Sequence, residues 1–543
     1  MRNVFVLACG VLLSCSAVGQ SFTSSNLPII SIDTHGNSIE DDFKISADMG
    51  IIDNGVGQTN TLTDPFNGYN GRIGIELRGS SSQSFPKKPY GIELQDNAGA
   101  GISAPLLGMP EEEDWVLNAT YNDKSLMRDM LAYKLGRDLG RYAPRTRYCE
   151  VVINGEYQGI YILIEKVKRD KNRVDISKLE VTETSGDDLT GGYILKIDKF
   201  TGNSEPGFKS FISPPYSVGH TIYFQNEYPK YSDLAFEQDT YMLNFMRDFE
   251  EVLNGSTYTD PVHGYRKYIN DDSFVDYLII NELSKNVDGY RLSTFMHKDK
   301  DSKGGKLTMG PIWDYNLGFG NADYCEGGPT YGWMYNFNVV CGEDGFQVPF
   351  WWSRLLTDPA FRHKLNTRWT TLRQTKLKTE TIHAYMDSIV NVLDVGARQR
   401  NFERWPVFHM YVWPNYQWEQ QTTYPLAVSW MKNWISDRAA WIDSNLPAVV
   451  TDAEKPQTGF SMNVFPNPFE ESLVFEYDLK KPGVVQITLC DILGKEVAVA
   501  EKTHTAAGKY QIHFNQISLP KGMYFGKTLF NTVPVSTAKL MRR

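Results

Sequence analysis

Two aspartates set 26 residues apart, Asp288 in "NVDGYRLST" and Asp314 in "GPIWDYNLGFGN", are the pair in this chain best suited to moving a phosphoryl group. Phosphoryl transfer needs one carboxylate to take the proton of the attacking hydroxyl and another to hold Mg²⁺ against the phosphates. In protein kinases a metal-binding Asn follows the first Asp at the fifth position. Here that position is Ser293, and Asn316 or Asn321, just behind Asp314, would supply the amide oxygen instead. Two Asp at such a spacing are common by chance, so the pair takes its meaning from its company.

That company begins in the N-terminal half. "RGSSSQSFPKKPYGIEL" puts Arg78, Gly79, Ser80, Ser81 and Lys87 in a loop ahead of a strand. A Gly/Ser loop of this kind covers a triphosphate with backbone N–H groups and cations; it is equally an ordinary surface loop. Glu165 and Lys166 end one apolar strand, and Lys196 sits in another, "GGYILKID". A strand Lys is a candidate for the α- and β-phosphates, with a Glu to orient it. Each of these Lys also fits a charge on an edge strand, and "EKVKRDKNR" reads as a solvated turn.

Other chemistries lack their signatures. There is no G-x-S-x-G elbow, and the nine His are scattered without a recognisable pairing. A Walker A loop, a G-x-G-x-x-G fingerprint, a CxxC pair and an HExxH stretch are all missing. A net charge of −10 argues against non-specific binding to nucleic acid, which needs a clustered positive field.

The positioning elements follow from periodicity. "DKSLMRDMLAYKLGRDLG" has apolar residues at helical spacing from Leu126 to Leu135 with Gly140 as a stop. "RYCEVVINGEYQGIYILIEKV" is a hairpin turning on Asn154-Gly155. "DSFVDYLIINELSKNVDG" is an apolar helix that runs into the Asp288 loop, and "KLTMGPIWDYN" is a strand that ends at Asp314. Residues 351–445 are Trp-rich and helical. Strands come first and helices with short strands follow, an α+β layout.

The 543 residues exceed one core. Residues 1–19, with Arg2 ahead of an apolar run and Ala17-Val18-Gly19 at its end, read as a secretory signal; a lipoprotein signal at Cys15 is the alternative. No later run has the length of a transmembrane segment. The main domain is placed at 20–446, a Pro/Thr/Ser-rich linker at 447–460, and an all-β sandwich at 461–543. Cys325 and Cys341 flank one Gly-rich loop and are expected to close it as a disulfide in an oxidising compartment, the alternative being two free thiols.

Two resemblances cover these parts. "FPNPF", "DILGKEV", "LPKGMYF" and the tail "KLMRR" resemble the C-terminal sorting domain of the type IX secretion system of Bacteroidetes. That resemblance implies export by this machinery across the outer membrane, with the tail removed and the protein attached to the surface. "RGSSSQSFPKKPYGIEL", "DWVLNATYNDKSLMRDMLAYKL", "VVINGEYQGIYILIEKVKRDKNRVDISKL", "GGYILKIDK" and "GPIWDYNLGFGN", in that order over about residues 27–440, resemble the CotH-like (spore coat protein H) kinase family. The resemblance implies a divergent protein-kinase-like fold and transfer of phosphate from Mg²⁺ and ATP to Ser or Thr of a protein substrate. It implies Asp288 as the catalytic Asp, Asp314 as the metal Asp, and Arg78 with Ser80 and Ser81 as the nucleotide-proximal loop. Lys87, Lys166 and Lys196 compete for the Lys role. Some members carry Asn at the position of Ser293 and a second Asp at that of Asn316, so a catalytically silent surface scaffold is the alternative.

Overall fold

The computed structural model describes residues 22–447 and 461–543, apart from 42, 201–206, 217–218, 492–494, 516–518 and 532. The expected signal and nearly all of the expected linker lie outside the described residues. The chain divides into two compact units, Met1–Pro447 and Ala448–Arg543.

The first unit opens as a closed seven-stranded barrel. Its strands are β1 (Ile29–Asp33), β2 (Ile45–Ile52), β3 (Tyr69–Leu77), β4 (Tyr90–Gln95), β5 (Asp114–Asn118), β6 (Thr146–Ile153) and β7 (Glu156–Glu165), in the order β1-β2-β3-β4-β5-β7-β6. Parallel pairing of β1 with β6 closes the ring. Alternate residues point to the same face of a strand, and one parity fills the barrel: Ile30 and Ile32, Met49 and Ile51, Ile73 and Ile75, Trp115 and Leu117 share a core. In β7 the opposite parity, Ile160, Ile162 and Ile164, enters the larger core of the helical region. Burial on both faces is why "GIYILIEKV" is apolar at nearly every position. The β6–β7 turn uses Asn154 and Gly155, both at positive φ (51° and 80°), as the sequence predicts.

Helix α1 (Arg128–Asp138) lies between β5 and β6 and is followed by Gly140 at φ +86°. An antiparallel sheet comes next, built from β8 (Tyr193–Ile197), β9 (Phe208–Lys209), β10 (Tyr223–Tyr228), β11 (Thr294–Lys298) and β12 (Thr308–Met309), in the order β9-β10-β8-β11-β12. Between β10 and β11 run α2 (Phe236–Asn254) and α3 (Asp271–Ser284). Helix α3 is buried on every side, so its polar residues need partners. Asp276 pairs with Arg141 (2.7 Å) and Arg368 (2.8 Å), and Glu282 with Arg438 (3.0 Å). The helix stops where Lys285 turns left-handed at φ 46°. Helices α4 (Pro359–Arg373), α5 (Thr379–Val392), α6 (Val395–Arg404) and α7 (Tyr424–Asn445) complete the unit.

One expected element is shorter than its sequence suggests. β12 ends at Met309, and Asp314 lies in irregular chain beyond it. Gly310, at φ 109°, makes the last bond to β11 (N–H to Phe295 O, 2.9 Å), and Pro311, without an N–H, ends the pairing. Cys325 and Cys341 are bonded, with Cα atoms 5.7 Å apart, while Cys149 and Cys490 are buried and free.

The second unit packs a three-stranded sheet (Ser461–Phe465, Leu473–Leu479, Gly508–Phe514) with a four-stranded one (Glu496–His504, Gly483–Cys490, Gly522–Phe530, Val533–Arg542) around a shared core that includes Phe475, Tyr477, Ile487 and Leu540. Among the described residues no helix is long and apolar enough to cross a membrane.

Candidate active site

A cavity of about 520 Å³ forms inside the first unit between the loop after β3, strand β5 with the chain behind it, the end of β7, the β8 and β10 ends, the loop after α3 and the loop after β12. That volume is in the range of small-molecule sites. Ten of the residues singled out in the sequence line it: Arg78, Gly79, Ser80, Ser81, Lys166, Lys196, Asp288, Ser293, Asp314 and Asn316.

Asp314 is held by its backbone. It sits at φ +61°, a conformation that Asp tolerates better than most residues. Its N–H donates to Tyr133 Oη (3.1 Å) and its carbonyl accepts from Asn286 Nδ2 (3.2 Å). Trp313 stacks on Tyr133 with centroids 6.1 Å apart, and the Arg78 guanidinium lies 5.4 Å from the Trp313 ring centre. Next in the chain, Tyr315 N–H donates to buried Asp129 (2.7 Å) and Tyr315 Oη to Asn281 (2.8 Å). Asn321 is a strap: its Nδ2 donates to Asn122 O (3.0 Å) and Asn316 O (2.8 Å), and it does not line the cavity. The Asp314 carboxylate reaches water through the cavity, yet protein atoms crowd it from the other sides. That crowding raises its pKa to about 6, with Asp288 adding and Arg78 opposing. Burial likewise lifts Asp129 to about 7, with the charge of Asp314 contributing.

Asp288 lies in the turn beyond α3. Gly289 must be Gly there, because a Cβ would come within 2.4 Å of Asn281 Oδ1. Asp288 Oδ1 accepts from Arg291 Nη2 at 2.8 Å and from Tyr324 Oη at 3.4 Å. Ser293 enters β11 at φ 47° and donates from Oγ to Asp198 (3.4 Å).

The cations come from two sides. Lys196 on β8 pairs with Glu227 on β10 at 3.1 Å, and Lys230 reaches the same Glu at 3.2 Å. The β8–β10 register shifts between Ile194 and Leu195, which leaves Glu227 as the extra residue of a bulge. Bulges re-aim side chains, and this one puts Glu227 beside Lys196. Burial pushes the Glu227 carboxyl up, but Lys196 and Lys230 bring it below its ordinary value. Lys166 lies 3.6 Å from Asp114. Among the described residues no carboxylate lies within ion-pair distance of Arg78. Its loop turns at Gly79 (φ +87°), where a Cβ would meet Ser82 Oγ at 2.0 Å. The turn is tied by Gln83 to Gly79 O (2.8 Å).

Two residues singled out in the sequence point elsewhere. Lys87 is buried, donating to Ile160 O and to Asn401 Oδ1 (3.0 Å), with burial lowering its pKa to about 7. Glu165 is buried against Arg145 (2.8 Å) and Tyr142 (3.2 Å). Both act inside the scaffold. Sequence reasoning in turn missed Asp198, Lys199 and Glu227, which line the cavity. Asp198 stands two residues past Lys196, a strand alternation that offered a signal. Glu227 depends on a long-range bulge that no local pattern encodes.

Asp198, Asp288, Asp314 and Asn316 offer hard oxygen donors, the type Mg²⁺ takes. Asp198, Asp288 and Asp314 do not crowd together tightly enough to encase an ion. Among the described residues the three-carboxylate group that does is Glu112, Glu113 and Asp114. Mg²⁺ keeps several waters and is usually held by one or two carboxylates plus phosphate oxygens, and the looser set fits that habit.

Compared with known proteins, the chain matches the family described as CotH kinase protein over residues 75–442, and the secretion system C-terminal sorting domain over residues 463–541. It is 34% identical over 219 residues to the inner spore coat protein H of Bacillus subtilis (strain 168), across 36% of this chain and 53% of that protein. The chain thus spans about half the length of this curated relative. A solved structure of the Pseudomonas fluorescens alkylpurine DNA glycosylase AlkC bound to DNA containing an abasic site analog aligns with 12% identity over 35% of this chain and 54% of that one. Its TM-score of 0.13 carries no argument about fold or function.

Proposed function

The chain belongs to the CotH kinase protein family and ends in a secretion-system sorting domain, and from that premise we propose that it is an exported kinase passing the γ-phosphate of ATP, with Mg²⁺, to Ser or Thr of a protein. The observation that carries this reading is that Asp288 and Asp314, remote in sequence, line one cavity together with Arg78, Lys166 and Lys196.

The roles follow from the partners. Arg291 occupies one oxygen of Asp288, and the other oxygen takes the proton of the attacking hydroxyl. Asp314 and Asn316 would hold Mg²⁺, which when bound would neutralise phosphate charge. Glu227 fixes the direction of Lys196, which meets the α- and β-phosphates. Arg78 has no carboxylate of its own among the described residues and meets the remaining phosphate charge. The Ser80–Ser81 turn covers the nucleotide. The antiparallel sheet that carries Lys196, set against the α3 loop that carries Asp288, supports a divergent kinase-like division of labour. The sorting domain supports use of the type IX secretion machinery and work outside the cell or at its surface.

The test is full-length protein, labelled ATP, Mg²⁺ and a Ser-rich protein acceptor. Transfer that needs Mg²⁺ and falls by on the order of 10²–10⁴-fold in Asp288→Asn supports the reading; no transfer under any divalent ion defeats it. The competing reading, a silent surface scaffold, draws on Asn316 and Ser293 at positions where the family resemblance includes Asp and Asn. Heat from a partner protein in calorimetry, with none from Mg²⁺ and ATP, would favour it.

A further inference from the structure

Asp288 is gripped from one loop at two places, and one disulfide ties those two places together. Tyr324, whose hydroxyl donates to Asp288 Oδ1 (3.4 Å), immediately precedes Cys325. Arg291, which donates to the same oxygen at 2.8 Å, is itself held by Asp344 (3.0 Å) and Phe346 O (3.2 Å), just beyond Cys341. The Asp344 turn hangs on the bridge: Asp344 N–H donates to Cys341 O (3.1 Å), and Gln347 Nε2 donates to Cys341 O (3.0 Å) and Asp344 O (2.6 Å). The Arg291 guanidinium also lies over Phe337, 4.1 Å from the ring centre.

The body of the loop is anchored without the bridge. Lys285 Nζ donates to Glu326 O and Pro329 O, Arg438 to Thr330 O and Gly332 O, and Glu282 accepts from the N–H groups of Met334 and Tyr335. Opening the bridge removes the covalent tie between the two ends of the loop, where Tyr324 and Asp344 sit, and leaves each on weaker anchors: Asp323 N–H on Pro414 O (2.9 Å) with Tyr324 stacked on Trp413, and Asn338 Nδ2 on Val348 O (2.8 Å). Among the described residues no hydrogen bond or ion pair runs from this loop to Arg78, Lys196 or Asp314, whose partners lie elsewhere.

We propose that the Cys325–Cys341 disulfide is the switch that aligns Asp288, with Tyr324, Arg291 and Asp344 as its positioning residues, so that the site gains transfer activity only after the chain reaches an oxidising compartment. This inference rests on the phosphotransfer reading. Bridge formation is thiol–disulfide exchange. One Cys thiolate attacks the disulfide of an oxidised dithiol donor, and the second Cys thiolate displaces the donor from the mixed disulfide. Two electrons and two protons leave the chain, and the donor departs as a dithiol. The chain made inside a reducing cytosol would thus bind nucleotide without spending it, and would become competent during export.

The experiment compares full-length protein oxidised with glutathione disulfide and reduced with dithiothreitol, bridge status being read by thiol alkylation and mass. The account expects kcat to fall on reduction by on the order of 10²-fold, the scale of a misplaced catalytic group, with KM for ATP and nucleotide affinity unchanged, and to recover on reoxidation. Cys325→Ser with Cys341→Ser should be slow under both conditions. Tyr324→Phe, which keeps the bridge, should lower kcat and leave KM alone. Equal transfer by oxidised and reduced protein overturns the switch and leaves the phosphotransfer reading standing. Joint loss of nucleotide binding and transfer on reduction overturns the positioning role, since the bridge would then serve the whole site. A silent oxidised protein defeats the phosphotransfer reading, and the switch with it.

Discussion

Two acidic groups in the first unit are handled in opposite ways. Glu112, Glu113 and Asp114 crowd their oxygens together, and the chain fills the space itself: Lys168 Nζ bonds to all three at 2.6–2.9 Å, and Arg173 adds a contact of 3.2 Å to Glu112. Burial pushes the Asp114 carboxyl up, but the lysines around it bring it below its ordinary value. Asp198, Asp288 and Asp314 stand farther apart around a cavity; Asp288 has Arg291 at 2.8 Å, but among the described residues no Lys or Arg lies within ion-pair distance of Asp198 or Asp314. The Asp198 and Asp314 carboxyls are both raised. The first group is a finished structural knot. The second keeps an electrostatic cost that a cation from outside would relieve. On the reading proposed here, an unmet negative charge points to a metal site better than crowding of carboxylates does.

The largest effect expected from breaking this contrast is on activity. Asp314→Asn should remove Mg²⁺-dependent transfer, and Asp288→Asn should lower it by on the order of 10²–10⁴-fold, with circular dichroism unchanged in both. Next comes the closed group. Lys168→Met leaves three crowded carboxylates with only Arg173 and Lys166 beside them and should cost roughly 2 kcal/mol of stability, read by denaturant unfolding, with part of the loss recovered in millimolar Mg²⁺ or Ca²⁺. No such variant should alter the KM for ATP.

Acid should act on the open group first. With the Asp314 carboxyl at about 6, Mg²⁺-dependent transfer should fall as pH drops through that value. Arg78→Met removes the charge that opposes this rise, so the acid limb of the rate profile should move to higher pH. The smallest effect is on the stability of the nucleotide-free chain. Asp129, at about 7, and Asp314, at about 6, both lie above the unfolded value. Between about pH 4 and pH 7 the folded chain thus binds protons that the unfolded chain releases, and stability falls as pH rises through that window. Thermal unfolding should show a higher midpoint at pH 5 than at pH 7.5. Asp129→Asn should flatten the slope by on the order of 1 kcal/mol, since Asn118 Nδ2, now donating to Asp129 (2.7 Å), can turn to meet an amide.

Much of the scaffold was legible because its causes are local. The Asn154-Gly155 turn, the amphipathic spacing of α1 with Gly140 behind it, the all-round apolar α3 and the alternating strands of the C-terminal sandwich each follow from neighbouring residues. The seven-stranded closure was not legible, because it rests on the pairing of Ile29–Ile32 with Glu150–Ile153, far apart along the chain. The site shows the same split. Asp288 and Asp314 announce themselves through the turns they occupy. Lys87 and Glu165 misled, because a Lys after a Gly/Ser loop and a Glu at a strand end look alike whether they face a cavity or Asn401 and Arg145. The Lys–Glu pair that does face the cavity, Lys196 with Glu227, needs a bulge between strands whose nearest registered pair, Ile197 and Phe224, is already 27 residues apart to bring it together. The Cys325–Cys341 bridge was legible from its loop, but its hold on Asp288 through Tyr324 and Asp344 was not.

A crystal structure of the full chain with a non-hydrolysable ATP analogue and Mg²⁺ would put the arrangement to the proof. The account predicts the triphosphate in the cavity beneath Arg78 and Lys196, Mg²⁺ about 2.1 Å from an Asp314 oxygen, and the free oxygen of Asp288 facing the γ-phosphate. A nucleotide seated elsewhere, or an ion in this cavity that Asp314 does not touch, would contradict it.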